Sequence, residues 1–296
     1  MRIAVILTGG TILSEGKSGF FILSDKRKSE ILSLIPSEFE VEVFSPYFIH
    51  SEQLDGEYLT ALIDEVNSKL NGGYDGIIII HGTDTLQFSA AALSLAFGSS
   101  DMPIVFASAN YVLDDKRSNG KTNLYYAARF IEQNIGGVFV SYKNTAERPA
   151  IYLGNTLLPH LPYSDSLYST CGEYGYYKDD KFINLIDELN LDAVGKYSLS
   201  KKSPVLWIKA YAGMSLPYVD DYRAVLVETY HSGTLPTESE SFISFCKNCA
   251  KPIYVVGVPE GTRYSSAINF DDLGLKIMPP ISPVFAYILL WQKYSI

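Results

Sequence analysis

Two short stretches carry hydroxyl, carboxylate and bare backbone amide groups in a form that suits acyl transfer. Thr8-Gly9-Gly10-Thr11-Ile12 follows the apolar run of residues 2–7, and His81-Gly82-Thr83-Asp84-Thr85 follows the still more apolar run of residues 74–80. A threonine hydroxyl is a weak nucleophile and needs a nearby base. An amide carbonyl needs donors aimed at its developing oxyanion. The stretches offer both kinds of group: hydroxyls from Thr11 and Thr83, backbone N–H groups from Gly10 and Gly82, and charge from Asp84. Plainer roles exist for the same residues. Thr11 and Thr83 could cap the segments that follow, and Asp84 could be a helix-start carboxylate stabilised by the helix dipole.

Found together, in this order and each after an apolar strand, the two stretches resemble the bacterial-type L-asparaginase family. The likeness extends along nearly the whole chain. Arg117-Ser118-Asn119-Gly120 with Asn123-Leu124 resembles the family's R-S-D-G…N-L stretch, and Tyr152-Leu153-Gly154-Asn155 its Y-R-G-N. Tyr211-Ala212-Gly213-Met214 and the segment from Tyr230 to Pro236 resemble two C-terminal motifs, closer to the cytoplasmic type. The resemblance implies a threonine amidohydrolase that converts L-asparagine to L-aspartate and ammonia, in the cytoplasm, as a homodimer or homotetramer. It assigns Thr11 as nucleophile, with Thr83 and Asp84 as the second threonine and its carboxylate partner. Ser51 and Glu52 fall where the family grips the substrate's α-carboxylate and α-amine. Ser108 falls at a substrate-contacting position.

This chain departs from the family at two positions. The family's lid carries a tyrosine soon after the nucleophile, where Phe20 stands here. The lysine that the family bonds to its Thr-Asp pair corresponds to Pro159, with His160 beside it. These departures keep open a site rewired through Glu15, Lys17 or His160. They also keep open a non-catalytic or low-activity homologue that binds an amino acid or a partner.

The elements that must position these groups can be read from periodicity. Strands are expected at residues 2–7, 39–44, 74–80, 103–107, 137–142 and 151–155, with helices at 25–35, 55–70, 86–97 and 122–134 between them. Such βαβα alternation implies a parallel sheet covered on both faces. Residues 13–24 read as a loop or hairpin over the first turn, a candidate lid. The expected architecture is α/β, with a larger N-terminal parallel-sheet domain at 1–175, a linker at 176–203 and a smaller C-terminal α/β domain at 204–296. In the latter, strands are expected at 204–210, 223–229 and 252–257, and helices at 237–250 and 283–294. The tyrosine-rich stretch 163–177 suits a subunit contact.

Composition excludes several other classes. The 296 residues are 47% hydrophobic and carry a formal net charge of −9, which argues against non-specific nucleic-acid binding. No run approaches the ~20 apolar residues of a membrane span, and the N-terminal residues lack signal-peptide form. Three cysteines argue against a disulfide framework. Cys246 and Cys249 form a C-x-x-C near the end of an expected helix rather than at its start, where a redox pair would sit. The four histidines are scattered without metal-ligand spacing, so no metal or other cofactor is expected. A nucleotide-binding role is disfavoured because neither G-x-G-x-x-G nor G-K-[ST] follows either turn.

Overall fold

The structure is a computed structural model that describes residues 1–187, 192–261 and 263–295. The chain forms two compact units, Met1–Ser198 and Leu199–Ile296.

In the first unit β1 (Arg2–Leu7) leads through a single helical turn into a hairpin, β2 (Ser14–Lys17) and β3 (Phe20–Leu23), followed by α1 (Lys26–Ser33) and β4 (Glu40–Phe44). Then come α2 (Gly56–Leu70), β5 (Gly76–Ile80), α3 (Leu86–Phe97), β6 (Pro103–Ala107), α4 (Gly120–Ile131) and β7 (Gly137–Tyr142). The chain turns back into β8 (Ala150–Leu153) and ends with the hairpin β9 (Gly175–Lys178) and β10 (Lys181–Asn184). One eight-stranded sheet results, in the order β10-β9-β8-β7-β6-β5-β1-β4. The five strands from β4 to β7 are parallel, and β8, β9 and β10 extend the sheet antiparallel.

The apolar runs explain the parallel half. Every residue of β5 and β6 is buried, as a sheet covered on both faces requires. On one face Ile3, Val5, Leu7, Ile78, Ile80 and Val105 pack with α1 and α4. On the other, α3 presents small residues and packs on β7. The α2 helix starts where the Asp55 side chain accepts from the amides of Glu57 and Tyr58, which satisfies two of its orphan donors.

Residues 175–184 were expected partly in the linker. They instead form β9 and β10, and the boundary between units falls at 198/199. Residues 188–191 of the expected linker lie outside the described residues. Tyr174 and Tyr177, expected at a subunit contact, are 3% exposed and pack into the core beside Phe139 and Phe182.

In the second unit β11 (Val205–Lys209), β12 (Ala224–Glu228), β13 (Ile253–Val256) and β14 (Leu275–Ile277) form one parallel sheet in chain order. The helix α5 (Glu240–Asn248) packs on one face and α6 (Pro283–Tyr294) on the other. Cys246 is buried on α5, and burial pushes its thiol up to about 11. A reactive thiol needs the opposite shift. No described helix is long and apolar enough to cross a membrane.

Burial sets the scale of what each element contributes. Ile78 is 0% exposed in the sheet centre, whereas Ile22 on the hairpin is 47% exposed. Ile78→Ala is expected to cost ~2–5 kcal/mol, and Ile22→Ala within ~0.5 kcal/mol of zero. Urea unfolding monitored by circular dichroism checks both.

Candidate active site

The end of β1 is fastened to the end of β5 before the first turn begins. Thr8 donates to the Ile80 carbonyl through its amide at 3.0 Å and its hydroxyl at 2.8 Å. Gly9 and Gly10 then take φ of 121° and 86°, conformations that side chains rarely tolerate. A Cβ on Gly10 would stand 2.2 Å from Gly82 Cα, and a Cβ on Gly82 would stand 2.5 Å from Ser51 Oγ. The turn after β1, the turn after β5 and the short helix Ser51–Gln53 therefore meet at one joint. Ile49 closes it: its carbonyl accepts from the Gly10 amide at 3.2 Å, and its amide donates to the Thr8 carbonyl at 3.0 Å. Thr85 Oγ1 adds a bond to the Ser51 carbonyl at 2.8 Å.

This joint gathers most of the sequence-predicted residues. Thr11, half-buried, opens the short helix Thr11–Leu13 one residue beyond Gly10. Thr83 is half-buried and Asp84 exposed, one and two residues beyond Gly82. Ser51 is buried with its hydroxyl against Gly82, and Glu52 next to it is exposed. Ser108 follows β6 at the same sheet edge, fully buried, with a hydroxyl that makes no hydrogen bond. One sequence expectation is corrected. The Gly10 amide donates to Ile49, so it is engaged within the joint and does not serve as an oxyanion donor.

Asparagines from the R-S-N-G…N-L stretch brace the edge. Asn110 and Asn119 exchange amide bonds at 3.0 and 3.1 Å. Asn123 donates to the Ser108 carbonyl and accepts from the Lys143 amide, both at 2.8 Å, while Asn119 donates to the Lys143 carbonyl at 2.9 Å. The loops after β6 and β7 are thus fixed through their backbones. Buried Arg27 on α1 pairs with Glu30 and with Asp114 of the loop after β6, and its Nε lies 4.0 Å from Glu15 of the hairpin. Phe20, at the family's lid-tyrosine position, is 73% exposed on that hairpin.

His81 is structural. Its Nδ1 lies 2.8 Å from the Gly82 carbonyl, which can only accept, and its Nε2 lies 2.8 Å from Ser89 Oγ. The neutral Nδ1–H tautomer satisfies both contacts, and burial lowers the pKa to about 4.

Thr83 and Asp84 line a cavity of about 230 Å³ together with Asn110, Tyr142, His160 and Asp165. Residues 156–170 build its far wall. Leu158 donates to Tyr168 and Thr170 to Thr156, forming a ribbon that carries the loop between them. Tyr142 Oη pins that loop at the Asp165 carbonyl, 3.1 Å away, and Asn144 pins it at Leu167. Among the described residues no lysine lines the cavity. Lys143 lines a neighbouring cavity of about 310 Å³ that shares Asn110 and Asp165 with it. Of the three residues through which the sequence left rewiring open, Glu15 pairs with Arg27, Lys17 is exposed on the hairpin, and His160 faces the cavity. Asn110, Tyr142 and Asp165 were not singled out from sequence. Asn110 stands just past the end of β6, Tyr142 ends β7, and Asp165 sits on the loop the ribbon carries, so no local signal in the sequence brings the three together.

Two outcomes follow from this geometry. Gly10→Ala is expected to cost ~1–3 kcal/mol, because it combines a left-handed φ with a backbone clash. Gly16→Ala, where an added Cβ meets nothing within 4 Å, should be near neutral by the same urea assay. The buried His81 binds its proton less readily in the native state than in the unfolded chain, whose value lies near 6.5. Stability is therefore expected to fall as pH drops from about 6.5 toward 4, by on the order of 3 kcal/mol in total. His81→Asn should flatten that limb in pH-dependent unfolding.

Known proteins share this arrangement of elements. Residues 2–157 match the family model described as Asparaginase, N-terminal. A glutamyl-tRNA(Gln) amidotransferase subunit from Methanosarcina acetivorans is 34% identical over 149 residues, 49% of this chain and 35% of that protein. Its counterpart from Pyrococcus furiosus is 26% identical over 253 residues, 80% of this chain and 58% of that one. The chain thus spans about a third to three fifths of these curated relatives. Among solved structures, the thermostable L-asparaginase from Thermococcus kodakarensis shares the fold with a TM-score of 0.81 at 21% identity, over 100% of this chain and 93% of that one. L-asparaginase I from Vibrio cholerae gives 0.77 at 19% identity, over 99% and 92%. With more than half of its length matched by the family model and the fold shared from end to end, the chain belongs to the asparaginase family.

Proposed function

We propose that the protein hydrolyses the side-chain amide of L-asparagine, giving L-aspartate and ammonia, with Thr11 as nucleophile. The contact between Gly10 and Gly82 carries this reading, because it sets the two threonine-bearing turns side by side at one sheet edge. Thr83 adjoins the nucleophile and serves its proton transfer. The Asp84 carboxylate, open to the cavity, suits the substrate's α-ammonium, and the exposed Glu52 adds a second negative charge nearby. Ser51 and Ser108 complete the grip on the substrate from the loops after β4 and β6. We place the enzyme in the cytoplasm as a homodimer or homotetramer, in keeping with the family type it resembles.

One observation favours a second reading. Among the described residues no lysine lines the cavity beside Thr83 and Asp84, so the chain could serve as a low-activity or binding-only homologue. The curated relatives are amidotransferase subunits, which widens the amides worth testing beyond L-asparagine.

Ammonia release from L-asparagine, D-asparagine, L-glutamine and larger amides decides between the two. The expected result is turnover of L-asparagine by the wild type and a loss of at least ~10³-fold in Thr11→Ala, with urea stability within ~0.5 kcal/mol of wild type. Unchanged turnover in the folded variant removes Thr11 from the mechanism. Binding without turnover of any amide supports the second reading.

A further inference from the structure

A second cavity, of about 310 Å³, adjoins the one beside Thr83 and Asp84 and shares Asn110 and Asp165 with it. The two differ in charge. The first carries the carboxylates of Asp84 and Asp165 and, among the described residues, no lysine or arginine. The second carries Lys116, Arg117 and Lys143 against Asp165 alone. A chain with a formal net charge of −9 repels anions at long range, so three cations around one cavity form a local exception.

The basic wall is held in place. The Arg117 guanidinium donates to Asp115 at 3.0 and 2.7 Å and lies over the Tyr111 ring, 4.0 Å from its centroid. Its Nη1 stays uncommitted on a group that is already oriented. Lys143 is half-buried, and its main chain is clamped by Asn123 at the amide and by Asn119 at the carbonyl. Those bonds spare its ammonium, and neither Lys116 nor Lys143 has an ion-pair partner among the described residues. Asp165 stands at the divide, near enough to Arg117 and to the His160 ring to act on both electrostatically.

We infer that this basic cavity binds an anionic group carried by the amide ligand beyond its amino-acid part, so that the ligand is an asparagine residue joined through its carboxyl to an acidic neighbour. The inference deepens the amide reading of the first cavity and rests on it. An asparagine has three polar handles. Its side-chain amide belongs to the threonines, and its ammonium must stay charged to meet Asp84 and Asp165. The carboxyl is the handle left for attachment. Converting it to a peptide bond removes its charge but keeps a carbonyl oxygen as acceptor. The negative charge then moves outward, to where Lys116, Arg117 and Lys143 stand. Ammonium and anion each meet opposite charge, whereas a ligand with those charges reversed meets like charge at both ends. Carboxylate and phosphate are the two anions that suit such a wall, since arginine and lysine bind both.

The test is isothermal titration calorimetry on the 296-residue chain carrying Thr11→Ala, so that binding is read without turnover. The probes are L-asparagine and four dipeptides: asparaginyl-glutamate, asparaginyl-phosphoserine, asparaginyl-methionine and asparaginyl-lysine. At least one acidic dipeptide should bind ~3–10-fold tighter than the methionine one, the scale of two partly exposed ion pairs. The lysine dipeptide should bind more weakly than that acidic one, and the tighter acidic probe identifies carboxylate or phosphate as the preferred anion. The preference should shrink as ionic strength rises from about 0.01 M to about 1 M, over which the screening length falls from ~30 to ~3 Å. Lys116→Met combined with Lys143→Met should bring acidic and neutral dipeptides to equal affinity, with the fold checked by circular dichroism. Equal affinity with the lysines in place overturns the inference, as does a preference that survives both the double substitution and the salt. Binding of L-asparagine without any dipeptide also overturns it, and leaves the amide reading standing. If neither L-asparagine nor any dipeptide binds, the amide reading of the first cavity fails and the inference falls with it.

Discussion

The space between Gly10 and Gly82 admits no Cβ, and the site depends on that absence. Two parallel strands lie about 5 Å apart by their ladder alone, but their exit turns ordinarily diverge under the bulk of side chains. Here the first turn runs through two left-handed glycines and lies directly on the second. Thr8 and Ile49 hold it down with backbone bonds. Thr11 and Thr83 are each one residue away from this contact. Their separation is thus set by main chain, which moves less than any rotamer.

The polar groups around the joint follow the same logic. Asn110, Asn119 and Asn123 bond to backbone amides and carbonyls, so the loops they hold are fixed independently of the side chains those loops display. His81 is kept neutral by a partner at each nitrogen. His160 lines the cavity, and its enclosed Nε2 makes no hydrogen bond. The two imidazoles near the joint therefore differ in hydrogen-bond satisfaction, which residue type does not show.

Much of this was legible in the sequence. β1, β5, β6 and β7 appear as short, nearly continuous apolar runs because helices cover both of their faces. The glycine-threonine turns stood out for their composition and their places after those runs. β9 and β10 did not stand out. Their sequences are four residues long and mixed in polarity, and the turn between them uses Asp179 and Asp180 at positive φ, without the glycine that signals a tight hairpin. The engagement of the Gly10 amide was hidden because its partner, Ile49, lies 39 residues on in a loop. The reach of His160 into the cavity was hidden as well. It depends on an irregular ribbon whose two sides are read as featureless loop, and adjacency to Pro159 was the sole sequence hint.

The division between backbone-held joint and loop-held wall bears on how such a protein can change its diet. Leu161, Pro162 and Tyr163 shape the outer cavity, yet the bonds that suspend their loop are made by Tyr142, Asn144, the Ser164 hydroxyl and main-chain groups. Exchanging those three residues would remodel the mouth for a longer or bulkier ligand while leaving the threonine geometry untouched. The shape of the mouth and the geometry of the joint are assigned to different parts of the chain, so a library confined to residues 161–163 would sample new specificities at small risk to the fold.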